Sequence, residues 1–555
     1  MPRNCFTISL VHPPLYVNPT ALTALRPAPP LGLAYVAAAL RRAGHDLTLV
    51  DAVAEAPEQT TREGRVLRLG LTDEQIVARI DPAAEAVAIT NMWSFSWPAV
   101  RSLIRAIRAR HPEKTIVCGG EHFTGLPELS MAQAPIDYIV LGEGEETAVA
   151  LFERLAAGEP FDPATLPGIC WRHGDTVVQN PRAARTRDVD TLPWPAWDLF
   201  DLEAYDRHNF VTGVKYGRTV PVLATRGCPY QCTFCSSPRM WTTRWYARDP
   251  VDVTDEIEFY TKTYGATNFP FQDLTAIIKR DWVVAFCQEI IRRGLRITWQ
   301  LPIGTRCEVV DDEVATLLAK SGGYTVAYAP ESGSARTREL IKKKMKRESL
   351  LRAAQASVDA HLNVSALLVI GFPHDTPDDL RATVRLVREL GRMGIDDVAC
   401  AFFFPIPATE LYDHLIDTGR IRLDDQFLMT PIFVHDRSLS EDRNYCEHIS
   451  ARRLTAWKYW IVANFYLTAW ATHPTRPFRH AYNAFTGRET SKMDTFLNEM
   501  RRRVGRALIP RRRRAPRDAI SWRARAMRSA TRWDSPAPRQ GQAGAPKTKF
   551  MGPPP

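Results

Sequence analysis

The sequence lacks the patterns of membrane and secreted proteins. No apolar run is long enough to span a bilayer, and the nearest, residues 459–472, is short and contains Asn464. The N-terminus begins Met-Pro-Arg-Asn-Cys-Phe and does not have the charged-then-apolar order of a secretory signal. We therefore expect a chain without a transmembrane segment that stays in the cytoplasm, where its thiols remain reduced.

Two common cofactor and metal patterns are also missing. The sequence contains no GxGxxG, which argues against a bound nicotinamide or flavin dinucleotide. It contains no second CxxC pair, whereas structural zinc sites commonly use two such pairs or one pair with histidines. Seven of the ten cysteines stand alone, and we expect them in the core as small apolar residues: Cys5, Cys118, Cys170, Cys287, Cys307, Cys400 and Cys446.

The other three cysteines, Cys228, Cys232 and Cys235, form a CxxxCxxC motif. Three thiolates on one loop can hold three irons of a cubane [4Fe-4S] cluster and leave the fourth iron open to a small molecule. A structural zinc ion or a redox disulfide is the alternative. The spacing, with Phe234 directly before the third cysteine, resembles the radical S-adenosylmethionine (SAM) superfamily. The resemblance implies that the three cysteines bind the cluster and that SAM binds the open iron.

Positive charge is concentrated near the end of the chain. The formal net charge is +10, yet residues 501–533 alone hold thirteen arginines and one acid, so the rest is nearly neutral. We expect residues 511–555 to form a basic, disordered tail. Binding to nucleic acid or to an anionic membrane surface is an alternative role for this tail. Our prediction is that the protein has no nucleic-acid partner.

Residues 1–158 alternate between strand and helix patterns. The alternation predicts an α/β fold with a doubly wound, Rossmann-like parallel sheet that binds its ligand at the carboxyl ends of the strands. The expected strands are residues 5–11, 46–53, 86–90, 115–118 and 138–141, and the expected helices are residues 31–43, 98–110 and 145–157.

Three loops at these strand ends are rich in glycine and small polar residues. They read Thr90-Asn91-Met92-Trp93, Gly119-Gly120-Glu121 and Gly142-Glu143-Gly144. Glycine at such a place lets a bulky flat ligand approach the backbone closely. The order of the loops resembles cobalamin-binding domains, and the resemblance implies that these residues line a cobalamin site. A Rossmann-like domain with a purely structural role is the alternative.

One part of the cobalamin resemblance fails. Domains that bind cobalt through a histidine carry Asp-x-His-x-x-Gly after the first strand, but here the sequence reads Val11-His12-Pro13-Pro14. Without the neighbouring aspartate that would orient the ring, we expect His12 to be a turn residue rather than a cobalt ligand.

The second half of the chain has its own strand–helix alternation. Residues 159–215, rich in Pro and Trp, have the composition of a packed linker, and residues 216–430 suit the incomplete (β/α)6 barrel typical of radical SAM enzymes. Residues 431–510 are expected to form a helical domain. The expected barrel strands are residues 220–225, 268–271, 298–303, 325–329, 364–370 and 397–404.

The ends of these strands resemble the SAM-binding turns of the superfamily. Residues 404–409 resemble its Pro-x-Pro-Gly-Thr turn, with Ala408 in place of the glycine. The resemblance implies five SAM contacts: Asp273 to the amino group, Arg306 to the carboxylate, Glu331 and Ser332 to ribose or carboxylate, and Gly371 beside the adenine.

The domain order resembles the cobalamin-dependent (class B) radical SAM methyltransferases. The resemblance implies three cofactors: a [4Fe-4S] cluster, SAM and cobalamin. It implies that SAM is cleaved to a 5′-deoxyadenosyl radical, that the radical removes hydrogen from an unactivated carbon, and that methylcobalamin supplies the methyl group. It also implies a small-molecule substrate, such as an antibiotic or pigment precursor, and an external electron donor of the flavodoxin or ferredoxin type.

Other outcomes of the same chemistry stay open. A cobalamin-dependent radical SAM cyclase, such as the anaerobic porphyrin ring cyclase, shares the architecture, and methyl transfer is favoured over it only by analogy. A methylthiotransferase would carry additional N-terminal cysteines, and a sensor would carry an output module such as a helix-turn-helix. The sequence has neither pattern.

Overall fold

The computed structural model describes residues 5–19, 27–158 and 160–508. The predicted tail, residues 511–555, lies outside these ranges. Among the residues described, no helix is both long enough and apolar enough to cross a membrane.

The N-terminal half contains ten strands and eight helices among the described residues. The strands are β1 (Thr7–His12), β2 (Leu15–Val17), β3 (Asp46–Asp51), β4 (Thr60–Glu63), β5 (Val66–Leu69), β6 (Ala86–Thr90), β7 (Thr115–Gly119), β8 (Tyr138–Val140), β9 (Ile169–His173) and β10 (Thr176–Gln179). The helices are α1 (Leu31–Arg42), α2 (Ala52–Glu55), α3 (Asp73–Val77), α4 (Trp97–Arg110), α5 (Glu121–Gly125), α6 (Pro127–Gln133), α7 (Gly144–Ala156) and α8 (Leu202–Arg207).

The main sheet has the order β10-β9-β8-β7-β6-β1-β3, and its five strands from β8 to β3 are parallel. The chain moves from β1 to β3 and then crosses to β6 on the other side of β1. The carboxyl ends of β1 and β6 therefore meet at a switch point, where sheets of this kind bind ligands. Apolar side chains of α1 and α7 cover one face and those of α4 cover the other. The predicted doubly wound sheet is confirmed.

Two features of this half were not predicted. The stretch expected to be a linker contributes the hairpin β9–β10, which pairs antiparallel with β8 and places Cys170 opposite Ile139. Only Ile169 and Cys170 of β9 are buried, so its apolar pattern is too short to identify a strand. A second sheet of order β2-β5-β4 is also built from short strands of mixed polarity. The domain boundaries stay predictions.

The C-terminal half contains the remaining elements. Its strands are β11 (Thr225–Arg226), β12 (Tyr246–Ala247), β13 (Asn268–Pro270), β14 (Thr298–Thr305), β15 (Gly323–Glu331), β16 (Asn363–Ile370) and β17 (Asp397–Phe402). Its helices are α9 (Ser237–Trp241), α10 (Pro250–Tyr264), α11 (Arg280–Arg293), α12 (Asp312–Lys320), α13 (Ala335–Leu340), α14 (Arg347–Asp359), α15 (Pro377–Met393), α16 (Glu410–Asp417), α17 (Asp425–Leu428), α18 (Ala451–Thr472), α19 (Thr475–Thr486) and α20 (Lys492–Leu508).

Strands β13 to β17 form a parallel sheet in chain order, and within the described ranges this sheet does not close on itself. The first expected strand, residues 220–225, is irregular and joins β13 only through bridges at Thr219 and Val222. Pro221 lies between these bridges and cannot donate a backbone hydrogen bond, which suits an edge position. The open sheet agrees with the predicted incomplete barrel.

The apolar stretch at 459–472 belongs to α18, which packs against α15 and β17. Gly391 of α15 permits this approach, because a Cβ atom there would lie 3.1 Å from the carbonyl oxygen of Phe465. Leu454, at the start of the same helix, lies over Gly371 at the end of β16. Helix α18 is thus part of the core of this half and covers the end of β16 at Gly371.

Candidate active site between the two domains

The cysteine loop follows β11 and is held from several sides. Gly227, at φ +85°, turns the chain where any side chain would collide with the carbonyl group of Arg244. The Thr233 N–H donates to the Ile341 carbonyl oxygen at 3.1 Å, and the Thr233 carbonyl oxygen accepts from Leu411 N–H at 2.9 Å. Backbone contacts on both sides of Thr233 therefore hold the loop in place.

The three thiols of the loop lie near one another and near two cations. Burial raises the pKa of Cys228, and Lys343 and Arg306 partly offset this effect. Burial also raises the pKa of Cys235, to about 12, with Cys232 and Cys228 adding to the rise. A bound cation that stabilises the thiolates is thus needed before they can act as ligands at neutral pH.

In the described part of the chain, no group of three or more His, Cys, Asp or Glu side chains is gathered closely enough to hold one metal ion. A cubane does not require such a group, because each thiolate binds a different iron.

Asp273, expected to contact the SAM amino group, is already engaged within the protein. Its carboxylate accepts from the N–H of Ala224 at 3.2 Å, and from the N–H and the hydroxyl of Thr225, the latter at 2.6 Å. Burial raises the pKa of Asp273 to about 6, although these bonds oppose the shift. In this structure Asp273 holds the chain segment that leads into the cysteine loop. Its contact with SAM stays a prediction.

Arg306, expected to pair with the SAM carboxylate, faces the cysteine loop. Its guanidinium group lies 3.8 Å from the ring centroid of Tyr230, a residue of that loop. It also donates to Glu308 and to the carbonyl oxygen of Lys344. The structure therefore places a buried cation beside the cluster position.

Glu331 and Lys343 form an ion pair. The sequence predicted Glu331 as a site residue but did not single out Lys343. Glu331 ends β15 with φ +61°, a conformation that is strained for a residue other than glycine. Its Oε1 atom accepts from Lys343 Nζ at 2.9 Å, and both side chains are nearly buried. Burial would lower the pKa of Lys343, but Glu331 and Cys232 raise it. Lys343 was missed because it lies in a run of three lysines, a pattern typical of a solvated surface.

The turns after β15 and β16 are joined by Asp375, a second residue that the sequence did not single out. Its Oδ2 atom accepts from the N–H groups of Gly371 at 2.9 Å and Phe372 at 3.1 Å, and its Oδ1 atom accepts from the Thr337 hydroxyl at 3.0 Å. Burial raises the pKa of Asp375 to about 6. The ring of Phe372 contacts Phe234 of the cysteine loop, with centroids 5.5 Å apart.

Ser332 is used within the protein as well. Its hydroxyl accepts from Ser334 N–H at 3.1 Å, and its carbonyl oxygen accepts from Arg338 at 2.7 Å. Its proposed contact with SAM stays a prediction.

The first two loops expected to bind cobalamin, which follow β6 and β7, lie together. Asn91 donates its N–H to the Gly119 carbonyl oxygen at 2.9 Å, and a Cβ atom on Gly120 (φ +112°) would lie 2.7 Å from the Asn91 carbonyl oxygen. The buried Asn91 Nδ2 atom has no hydrogen-bond partner among the described residues. Met92 and Trp93 are exposed. An unsatisfied donor beside exposed apolar side chains fits a bound amphipathic group such as the cobalamin tail.

His12 is a strand residue rather than the turn residue expected. It is the last residue of β1, it is buried, and its Nδ1 atom lies 2.9 Å from Asp51 Oδ1. The Tyr205 hydroxyl of α8 donates to Asp51 at 2.9 Å. The orienting aspartate therefore exists, but it comes from the neighbouring strand β3 and not from the neighbouring sequence.

The cobalamin loops and the cysteine loop meet directly. Glu121, which follows Gly120, accepts a 2.6 Å hydrogen bond from the hydroxyl of Ser236, the residue after Cys235. Arg226, two residues before Cys228, pairs with Glu145 of α7 at 2.6 Å. Burial alone would raise the pKa of Glu145, but Arg226 holds it below its usual range.

The third cobalamin loop also reaches across to the other half of the chain. Glu143 pairs with Arg185 at 2.8 Å, and Arg185 donates in turn to the carbonyl oxygens of Trp241 and Arg244. Gly142 donates its N–H to the Thr124 hydroxyl at 3.0 Å, and Gly144 approaches Val36 of α1 closely.

Comparison with known proteins finds a matching domain family for each half of the chain. Residues 18–152 match the B12 binding domain family, and residues 222–387 match the radical SAM superfamily. An uncharacterized methyltransferase of Pyrococcus horikoshii is 28% identical over 70% of this chain and 78% of its own. The chain thus combines a B12 binding domain with a radical SAM domain. Its cofactors are cobalamin, SAM and a [4Fe-4S] cluster.

Further relatives of this chain are named for different reactions. Cytidylyl-2-hydroxyethylphosphonate methyltransferase of Streptomyces wedmorensis is 27% identical over 73% of this chain and 82% of its own. Anaerobic magnesium-protoporphyrin IX monomethyl ester cyclase of Rubrivivax gelatinosus is 27% identical over 74% and 70%. The radical SAM methyltransferase TsrM of Kitasatospora setae, solved with cobalamin and a [4Fe-4S] cluster, has the same fold, with a TM-score of 0.61 over 84% of this chain and 89% of its own at 18% identity.

The contact between Arg226 and Glu145 gives a test of the junction between the two halves. Arg226→Ala leaves a buried carboxylate without its partner, so we expect a loss of about 3–5 kcal/mol in unfolding free energy. Arg207→Ala, which removes an exposed pair with Glu203, is the control and should cost about 0.5 kcal/mol or less. Urea unfolding followed by tryptophan fluorescence measures both. Equal effects of the two substitutions would contradict the role of Arg226.

Asp375 gives a pH-dependent test. Because its pKa in the folded protein, about 6, lies above the value in an unfolded chain, its contribution to stability is present at low pH and falls as pH rises through about 6. We expect the unfolding free energy of the wild type, measured relative to that of Asp375→Asn, to fall by about 2–3 kcal/mol between pH 4 and pH 6.5. Exposed Asp378→Asn is the control and should show no such trend. Thermal unfolding across this pH range measures the difference, and a flat profile for Asp375→Asn would contradict the prediction.

Proposed function

We propose that the protein transfers a methyl group to an unactivated carbon of a small molecule. The observation that carries the proposal is the 2.6 Å hydrogen bond between Glu121 and Ser236, which joins the cobalamin loop after Gly120 to the cluster loop after Cys235. When bound, the cluster and SAM supply a carbon-centred radical and cobalamin supplies the methyl group. Both are needed at one carbon atom, and this contact brings their loops together.

The residues of the chain have identifiable tasks in this reaction. Lys343 and Arg306 place positive charge beside the cysteines, which favours the thiolate form that iron requires. The buried pair Arg226–Glu145 joins the two halves, and Arg185, paired with Glu143, donates to Trp241 and Arg244 of the C-terminal half. No acid or base is required at the reacting carbon. The absence of a recognisable nucleophile motif in the sequence agrees with this.

A cyclase is the second candidate, because a relative of that name matches the chain as extensively as the methyltransferases do. The two candidates differ in their products. The cytidylyl-2-hydroxyethylphosphonate methyltransferase, by its name, acts on a small molecule, and this likeness supports a small-molecule substrate here.

The test uses reconstituted full-length protein under anaerobic conditions with SAM carrying a labelled methyl group and pools of antibiotic or pigment precursors. We expect labelled methyl in the product together with 5′-deoxyadenosine. Cys228→Ala, Cys232→Ala and Cys235→Ala should each lose the cluster absorbance and product formation, whereas the control Cys5→Ala should keep both. A product that gains a ring or an oxygen atom but no labelled methyl group would contradict methyl transfer and would support the cyclase.

We also propose where the external electron donor docks. A cavity of about 640 Å³ adjoins the cysteine loop and contains five cations against two carboxylates, Glu308 and Glu339. The cations are Arg306, Arg338, Lys343, Lys344 and Lys346. Flavodoxin and ferredoxin types of donor are acidic, and a positive rim speeds their association. The cysteine loop itself lies next to this cavity, since Tyr230 of the loop is one of the residues that line it.

Lys344→Glu and Lys346→Glu test this docking surface. Each should slow reduction of the cluster by flavodoxin about tenfold at low salt, because a positive charge becomes negative at the rim. The rate with dithionite, which needs no docking, is the internal reference. Lys320→Glu on α12 is the control for a charge change elsewhere. Stopped-flow absorbance measures the rates, and an equal slowing with dithionite would contradict docking at this place.

A further inference from the structure

Helix α19 (Thr475–Thr486) has its polar side against the protein. Arg476 donates to the carbonyl oxygens of Gly394 and Ile395. His480 and Asn483 are buried and both contact Asp494 of α20, at 2.7 and 2.8 Å. Helices on a protein surface normally bury their apolar side, so this orientation is reversed.

The outward side of α19 is aromatic. Phe478, Tyr482 and Phe485 are 77%, 54% and 85% exposed. Their spacing of four and three residues puts them in one row on the helix. Burial of these aromatic side chains would be favourable, so their exposure to water has a free-energy cost. Exposed apolar rows of this kind are typical of interaction surfaces.

Positive charge lies next to this aromatic row. The guanidinium group of Arg488 lies 5.6 Å from the ring centroid of Tyr482. Arg501 donates to the Phe485 carbonyl oxygen at 2.8 Å. Arg501 is also the first of the thirteen arginines in residues 501–533, which include only one acid. The arginine-rich segment therefore starts at the aromatic row.

We propose that α19 binds the surface of an anionic lipid bilayer. The three aromatic side chains enter the boundary between headgroups and acyl chains, and the arginines of residues 501–533 are attracted to the negative headgroups. Exposed aromatic residues beside clustered basic residues are the chemistry that such a surface recognises. The proposal is separate from the methyl-transfer reaction and does not depend on it.

Two other occupants fit less well. A second copy of the chain would bring an equal arginine-rich segment to the same place, and like charges repel there. Nucleic acid would need open ring faces on which bases could stack, but the guanidinium group of Arg488 lies over the ring of Tyr482.

Vesicle flotation of the full-length protein tests the proposal. We expect it to float with vesicles of phosphatidylglycerol and phosphatidylcholine, and to float much less with phosphatidylcholine alone or at high salt. The double variant Phe478→Ser/Phe485→Ser should bind about tenfold or more weakly, because the apolar part of the contact is lost. Phe478→Leu/Phe485→Leu, which keeps apolar side chains, should retain binding.

Each contrary result overturns the proposal. Failure to float with anionic vesicles would exclude a lipid surface, and equal flotation of the serine variant and wild type would assign binding to the arginines alone. A concentration-dependent dimer that the serine variant loses would make the row a contact between copies. Tighter binding to RNA than to vesicles would make it a nucleic-acid surface. Circular dichroism of both variants must match wild type, and SAM cleavage in each confirms that the catalytic half is intact.

Discussion

The buried ion pair between Arg226 and Glu145 is the interaction on which the rest of the site depends. It joins the strand that enters the cysteine loop to the helix that follows the third cobalamin loop. Two charges taken out of water in this way are tolerated only when each has its partner, so neither half can present a complete surface alone. The contacts of Glu121 with Ser236 and of Glu143 with Arg185 lie around this pair. The site is therefore a property of the junction.

Much of the fold could be predicted because its main strands are apolar and parallel. Ala86–Thr90, for example, has the same bounds in sequence and structure, since a strand covered on both faces has a continuous apolar pattern. The hairpin β9–β10 and the sheet β2-β5-β4 could not be predicted, because short edge strands depend on the neighbours they pair with. The irregular edge at 219–222 has the same cause.

The candidate site divides in a similar way. The cysteine motif and the glycine loops are runs of neighbouring residues, so their resemblance to known families could be recognised from the sequence. Lys343 pairs with Glu331, 12 residues away, and Asp375 links its own turn to Thr337, 38 residues away. Neither residue lies in a motif. Asp273 could be placed at the correct strand end, but its contacts with Thr225 could not be foreseen. His12 shows the converse, because its aspartate partner lies 39 residues away on β3.

Tyr205 extends the N-terminal unit beyond the part of the sequence that resembles other B12-binding domains. Its hydroxyl completes the pair of His12 and Asp51 at the end of β1, yet it lies on α8, after the hairpin β9–β10 and well past residue 152. The segment between the two matched domains is therefore structurally part of the N-terminal unit. An exchange of modules between such enzymes would have to carry residues up to about 207 to keep this histidine in place.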